Sequence, residues 1–220
     1  MHFDILVEDV SGEKMLNILV PKILEAQHIE HTYNITSYKG IGRIPKGLTD
    51  SKNAKGRQLL ALLPKLLSGY GKTYAAYPDN YPASLIIVCD LDDKCLKTFR
   101  KELITLLDAC TPPPPVGFCI AIEEGEAWLL GDIAAIKKAY PDAKNSVLKS
   151  YNNDSICGTW EVLADTVYPG GSSKLSSLGF QAIGHQKSIW AEKISQYINI
   201  NKNKSPSFNY FKNKMIMMTE

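Results

Sequence analysis

Short strand-like segments alternate with segments of helical spacing along the first part of the chain. Residues 3–7, 84–89 and 116–122 are apolar runs and residues 31–37 alternate in polarity, and all four predict strands. The intervening apolar residues recur every three or four positions and predict helices, the first capped by Ser11 and kinked or divided at Pro21. This order is typical of β-α-β units, and so predicts an α/β fold with a parallel sheet flanked by helices.

The last part of the chain has a different pattern. No strand pattern recurs after Ile133, and helical spacing marks segments around Leu163, Ile194 and Phe211. We therefore predict an α/β domain of residues 1–132 and a C-terminal helical extension of residues 133–220 packed on it.

Composition favours a folded, intracellular protein. Hydrophobic residues make up 45% of the chain and charged residues 22%, which is typical of globular domains. The five cysteines form no C-x-x-C pair and are predicted to be reduced, with Cys89 and Cys119 buried. Acids at Asp4, Glu8 and Asp9 exclude a signal peptide, and no apolar run is long enough to span a bilayer. We expect a cytoplasmic protein without a membrane partner.

Basic charge is concentrated in one stretch, although the net charge is only +2. Residues 39–72 carry eight basic side chains and one acid. Charge alone leaves two interpretations open: a surface that binds an anion, or a solvated lysine-rich face.

Acidic residues follow three of the predicted strands. They are Glu8 and Asp9 after the first strand, Asp90, Asp92 and Asp93 after the third, and Glu123, Glu124 and Glu126 after the fourth. The carboxyl ends of parallel strands line one crevice, so these three groups are expected to converge. If the chain stays extended beyond the third strand, Asp90 and Asp92 point to the same side.

Several carboxylates in one crevice repel one another, and a hard divalent cation relieves that repulsion. Carboxylate oxygens suit Mg²⁺ or Mn²⁺, which also take up phosphate oxygens. The pattern therefore indicates metal-dependent phosphoryl transfer or phosphodiester cleavage.

A competing interpretation is helix capping, which would account for Asp93 and Glu124. Response-regulator receiver domains, which also carry acids at these strand ends, are a further alternative.

The acidic pattern resembles the Toprim domain of topoisomerases, primases and the overcoming-lysogenization-defect (OLD) nucleases. Glu8 within I-L-V-E-D-V-S-G matches the glutamate after the first strand, and Asp90 and Asp92 within C-D-L-D-D match the D-x-D after the third. The chain also contains the stretches L-L-A-L-L-P-K-L-L and A-I-E-E-G-E-A-W-L-L-G-D. With these stretches it resembles a Toprim-like bacterial family often encoded beside ATPase genes in defence islands. Two positions depart from the pattern: Asp9 replaces a common glycine, and Gly12 replaces a second-metal acid of the OLD-type nucleases.

The resemblance implies a Mg²⁺- or Mn²⁺-dependent nuclease. It also implies a role in phage defence together with an ATPase partner. Asp90 and Asp92 would hold the metal, and Glu8 would be a ligand or the general acid/base. Glu123 or Glu126 would add a ligand or position water, with Glu126 the preferred catalytic residue. The basic side chains expected to hold the nucleic-acid backbone are Arg43, Lys46, Lys52, Lys55 and Arg57.

Two other functions fit the same residues. The chain could be a non-catalytic subunit that docks an ATPase, an interpretation favoured by Gly12, whereas the intact D-x-D favours an enzyme. It could also be a metal-dependent phosphatase acting on a small nucleotide. The sequence does not indicate the oligomeric state.

Overall fold

Four parallel strands form the centre of the molecule. The structure, a computed structural model, describes residues 1–26, 28, 30–44, 58–155 and 158–219. The strands are β1 (His2–Val7), β2 (Thr32–Ser37), β3 (Ala83–Asp90) and β4 (Val116–Ala121), in the order β2-β1-β3-β4. All three pairings are parallel, which confirms the predicted α/β class.

The strand register brings the acidic strand ends to one edge of the sheet. Val7 at the end of β1 pairs with Ser37 of β2 and with Val88 of β3. Asp90, the last residue of β3, pairs with Ala121 at the end of β4. Because Glu8 follows β1 directly, it lies level with the last residues of β3.

Four helices accompany the sheet within the first part of the chain: α1 (Val10–Glu25), α2 (Leu59–Ala75), α3 (Leu96–Asp108) and α4 (Glu126–Leu130). The predicted cap of α1 was wrong, because Asp9 is the N-cap. Its carboxylate accepts hydrogen bonds from the Gly12 N–H at 2.8 Å and from the Ser11 hydroxyl at 2.8 and 2.9 Å. Pro21 does not divide the helix, because α1 runs through it as one element.

The C-terminal part is helical, as predicted. Its helices are α5 (Ile133–Ala139), α6 (Asn145–Ser150), α7 (Thr159–Val167), α8 (Gly171–Ser176), α9 (Phe180–Ser195) and α10 (Pro206–Met217). Helix α9 packs along α1 and α10 packs against β4. None of the helices in the described ranges is long and apolar enough to span a membrane.

Two apolar clusters cover the two faces of the sheet. Side chains alternate along each strand, so Ile5 and Ile86 enter one cluster while Leu6 and Ile87 enter the other. Helices α2 and α3 complete the second cluster. The first is completed by α1, α4 and the C-terminal helices, and Trp128 of α4 lies fully buried in it. The C-terminal helices are therefore part of the core that supports the acidic edge of the sheet.

Candidate functional site

Four acidic residues from three separate segments line one narrow pocket at the carboxyl edge of the sheet. Glu8 and Asp9 follow β1, Asp90 ends β3 and Glu126 begins α4. Asp9 caps α1, which leaves the other three. The Glu8 Oε2 atom accepts a hydrogen bond from the Asp90 backbone N–H at 3.1 Å. Glu126 is 3% exposed. We call this feature, defined by Glu8, Asp90 and Glu126, the acidic pocket.

The start of α1 approaches the same pocket closely. Gly12 lines it, and a Cβ atom at that position would lie 2.5 Å from Cγ2 of Val7. A larger residue therefore requires Val7 to move. The neighbouring Asp9 carboxylate is occupied in capping α1. The first turn of α1 thus brings backbone close to the acidic pocket without adding a free carboxylate.

Burial and neighbouring negative charges raise the pKa values of the three carboxyl groups. The pKa of Glu8 is raised from 4.5 to about 7, mainly by burial and in addition by the charges of Asp92 and Asp9, against the hydrogen bond from the Asp90 backbone N–H. Burial raises the pKa of Asp90 well above its ordinary value, and the Glu8 charge adds to this effect. Burial also raises the pKa of Glu126 to about 7, although nearby Lys187 opposes the change.

A lysine of the C-terminal helices belongs to this cluster and was missed by the sequence analysis. The Lys187 Nζ atom of α9 lies 3.0 Å from Glu126 Oε2 and 3.2 Å from Glu124 Oε1, with 12% of its side chain exposed. Burial lowers the pKa of Lys187, but the charges of Glu126, Glu124 and Asp90 outweigh burial and raise it well above its ordinary value. Lys187 is therefore charged, and it partly balances the acids.

Asp92 lies beside the acidic pocket rather than lining it. Strand β3 ends at Asp90, and Asp92 has a left-handed backbone with φ 51°, so the extended alternation assumed for the D-x-D does not continue. Its N–H donates to the Glu123 carbonyl at 3.0 Å, and its carboxylate lies 2.6 Å from Lys94 Nζ. The Asp92 side chain is 43% exposed, which leaves it accessible for rearrangement.

Glu123 does not join the other carboxylates. Its side chain accepts hydrogen bonds from the backbone N–H groups of Gly158 and Thr159 at the start of α7, the latter at 2.7 Å. In this arrangement the Glu123 carboxylate stabilises a helix N-terminus, and its role as a metal ligand stays a prediction. Asp93 does not cap α3, whose N-cap is Cys95, and Glu124 does not cap α4, whose N-cap is Gly125.

The predicted basic surface is described only in part. Arg43 is exposed, as expected of a side chain that contacts a phosphate backbone. Lys46, Lys52, Lys55 and Arg57 lie outside the described residues. Their role in binding nucleic acid stays a prediction.

The side chains as they stand do not form a ready-made metal site. Within the described ranges, no group of three His, Cys, Asp or Glu residues is arranged to hold a metal ion. Two of the predicted ligands are instead in ion pairs, Glu126 with Lys187 and Asp92 with Lys94. The Asp90 side chain has no hydrogen-bond or ion-pair partner in the part of the chain that the structure describes. A cation would have to draw Asp92 or Glu126 from its lysine.

Comparisons with models of protein families, with curated proteins and with solved structures find no match for this chain. We therefore infer its function from the residues and the geometry of the acidic pocket.

Proposed function

We propose that this protein is a Mg²⁺- or Mn²⁺-dependent phosphodiesterase that cleaves nucleic acid. One observation carries the proposal: Glu8, Asp90 and Glu126, from three distant segments, line one pocket at the carboxyl edge of a parallel sheet. Open α/β sheets bind their ligands at this edge. The resemblance of the sequence to Toprim domains points to the same chemistry.

The donor set fits a hard divalent cation. Glu8 and Asp90 are oxygen donors whose pKa values are raised by burial and by neighbouring negative charges, so a cation between them would stabilise their ionised forms. Asp92 would complete the set by rotating from Lys94, a change made easy by its exposure. When bound, the metal would polarise the phosphoryl group and lower the pKa of a bound water.

Glu126 is suited to proton transfer. Its carboxyl group has a pKa of about 7, and a general acid or base works best when its pKa is near the ambient pH. The pKa of Glu8 is also about 7, but a cation bound to Glu8 would lower it, so we assign Glu8 to the metal. Lys187 holds the Glu126 carboxylate in place through the 3.0 Å ion pair. Glu126 would accept a proton from the attacking water, and a solvent water would protonate the leaving oxygen.

A single cation fits this chain better than two. Gly12 supplies no carboxylate at the position where the OLD-type nucleases carry a further metal ligand, and the space beside it is filled by Val7. The Asp9 carboxylate is occupied by the Ser11 hydroxyl and the Gly12 N–H. The positive charge of Lys187 beside Glu126 also disfavours a second cation there.

The test is cleavage of plasmid and single-stranded DNA and RNA in Mn²⁺ or Mg²⁺, by the wild-type protein and by Asp90→Asn/Asp92→Asn. Asp108→Asn, which changes an exposed carboxylate at the end of α3, is the matched control. We expect wild type and control to cleave and the double variant to lose at least a hundredfold in rate. Equal cleavage by all three would refute the proposal, and release of phosphate from mononucleotides without strand cleavage would indicate a phosphatase.

A second function is favoured by a specific observation. Since the described carboxylates form no ready-made metal set, the chain could act as a non-catalytic subunit that docks an ATPase. In that case Asp90→Asn would leave both the complex with its partner and the biological activity unchanged. A loss of activity in Asp90→Asn with the complex intact would exclude this function.

A further inference from the structure

A second cavity lies at the free edge of the sheet, between α3 and α10. Strand β4 is an edge strand, and its Phe118 and Ile120 form the floor of this cavity together with Ile122. Leu96 of α3 and Tyr210 of α10 stand on the two sides. The cavity has a volume of about 340 Å³. This feature, which we call the α3–α10 groove, is large enough for one nucleoside and is mainly apolar.

The groove also carries an ordered cation and an aromatic face. The Arg100 guanidinium lies 5.6 Å from the centre of the Tyr210 ring, and its Nη2 lies 3.4 Å from the Tyr210 hydroxyl. The guanidinium therefore lies over one face of the Tyr210 ring, and both groups line the groove. Tyr210 keeps 39% of its surface exposed, so the ring is accessible to a ligand. Flat rings and guanidinium planes are the groups on which unpaired bases stack.

One residue that lines the groove has an unsatisfied polar atom. Asn153 lines the groove, and its Oδ1 atom is buried without a hydrogen-bond partner among the described residues. Buried acceptors without partners are rare and costly, so this oxygen is suited to a ligand N–H donor. The neighbouring Asp154 carboxylate is already used, because it accepts from the Ser205 hydroxyl at 2.9 Å and from the Ser207 N–H at 2.6 Å.

A depression lined by lysine side chains adjoins the groove. Asn153 also lines this depression, whose other residues include Lys137, Lys202 and Lys204. An acid there, Asp132, is occupied by the N–H groups of Ala135 and Asn199. An apolar groove for a flat ring thus lies next to a lysine-rich depression for phosphate. A ligand that combines both parts is a nucleotide.

We propose that the α3–α10 groove binds an unpaired base of a single nucleic-acid strand, with the adjoining phosphates against Lys202 and Lys204. A duplex cannot present an unstacked base to the groove, so the occupant is single-stranded. Ile122, which lines the groove, is next in sequence to Glu123, and the Asp92 N–H donates to the Glu123 carbonyl. The groove therefore adjoins the segments that follow β3 and β4, which also carry residues of the acidic pocket. This inference rests on the proposed function, since it names the form of that site's substrate.

The experiment measures binding of a fluorescent single-stranded oligonucleotide in EDTA, so that the acidic pocket makes no metal contribution. Tyr210→Ala and Arg100→Gln remove the aromatic face and the cation. Tyr197→Ala is a matched control, because Tyr197 is 44% exposed and also lies under a cation, with Lys138 Nζ 5.4 Å from its ring, but does not line the groove. Thermal unfolding of each variant establishes that it is folded.

We expect Tyr210→Ala to weaken binding roughly five- to one-hundredfold, Arg100→Gln to weaken it less and Tyr197→Ala to leave it unchanged. Equal binding by all variants, an equal loss in Tyr197→Ala, or no binding by wild type would overturn the inference. So would a mononucleotide or a duplex that competes as well as the oligonucleotide. If cleavage depends on Asp90 but Tyr210→Ala does not weaken oligonucleotide binding, only the assignment of the groove is refuted. Binding that depends on Tyr210 without any cleavage would refute the proposed activity and leave the groove in place.

Discussion

Replacing Glu8 by glutamine tests the electrostatics of the acidic pocket. The Glu8→Gln side chain keeps an oxygen that can accept from the Asp90 N–H, so its main effect is to remove a buried negative charge. Burial and the charges of Asp92 and Asp9 raise the pKa of Glu8 from 4.5 to about 7. A carboxyl group with a higher pKa when folded binds more protons in the folded state, so stability is lost as pH rises from 4.5 through about 7.

The size of the effect follows from that change in pKa. Raising it from 4.5 to about 7 costs the folded protein about 3 kcal/mol once the group is ionised. We therefore expect Glu8→Gln to increase the free energy of unfolding by roughly 1–3 kcal/mol at pH 8, and by less at pH 5, where the folded carboxyl is largely protonated.

Urea unfolding in EDTA at both pH values measures the effect, with Glu102→Gln on the exposed side of α3 as the control. No gain at pH 8, or the same gain at pH 5 and pH 8, would refute the conclusion that burial and neighbouring charges raise the pKa of Glu8.

Two further variants separate the roles of neighbouring residues. Lys187→Met leaves Glu126 and Glu124 without their buried cation and is expected to lower the free energy of unfolding by roughly 3–5 kcal/mol. Adding Glu126→Gln should restore part of that loss. Urea unfolding measures both variants, and full stability of Lys187→Met would contradict the ion pair. Glu123→Gln weakens the hydrogen bonds from the Gly158 and Thr159 N–H groups and is expected to lower the free energy of unfolding by about 1 kcal/mol, measured by thermal unfolding. We expect the affinity for Mn²⁺ to stay unchanged. A large loss of affinity would indicate that Glu123 is a metal ligand.

The secondary structure was largely predictable because its signals are local. The run S-L-I-I-V-C is apolar at every position, and in the structure it is the central, buried strand β3. The carboxylates after β1 and β3 were expected to converge because parallel strands end at one edge, and the structure places Glu8 and Asp90 in one pocket. The sequence did not decide whether Asp9 or Ser11 caps α1, because serine and aspartate are equally good caps.

The parts that were missed depend on contacts between distant segments. Lys187 lies on a helix whose sequence gives no sign that one lysine faces inward, and it meets Glu126 because α9 packs along α1. Glu123 has a left-handed backbone with φ 64°, which turns its carboxylate toward Gly158. Neither the packing of α9 nor that backbone angle follows from residue periodicity.

The central claim is that the acidic pocket binds a divalent cation, and calorimetric titration with Mn²⁺ tests it most directly. Wild type, Asp90→Asn and the Asp108→Asn control would be titrated at pH 8, where Glu8 is ionised. We predict one Mn²⁺ per chain for wild type and control, with binding lost in Asp90→Asn. Binding that persists in Asp90→Asn, or no binding by wild type, would contradict the assignment of this pocket as a metal site.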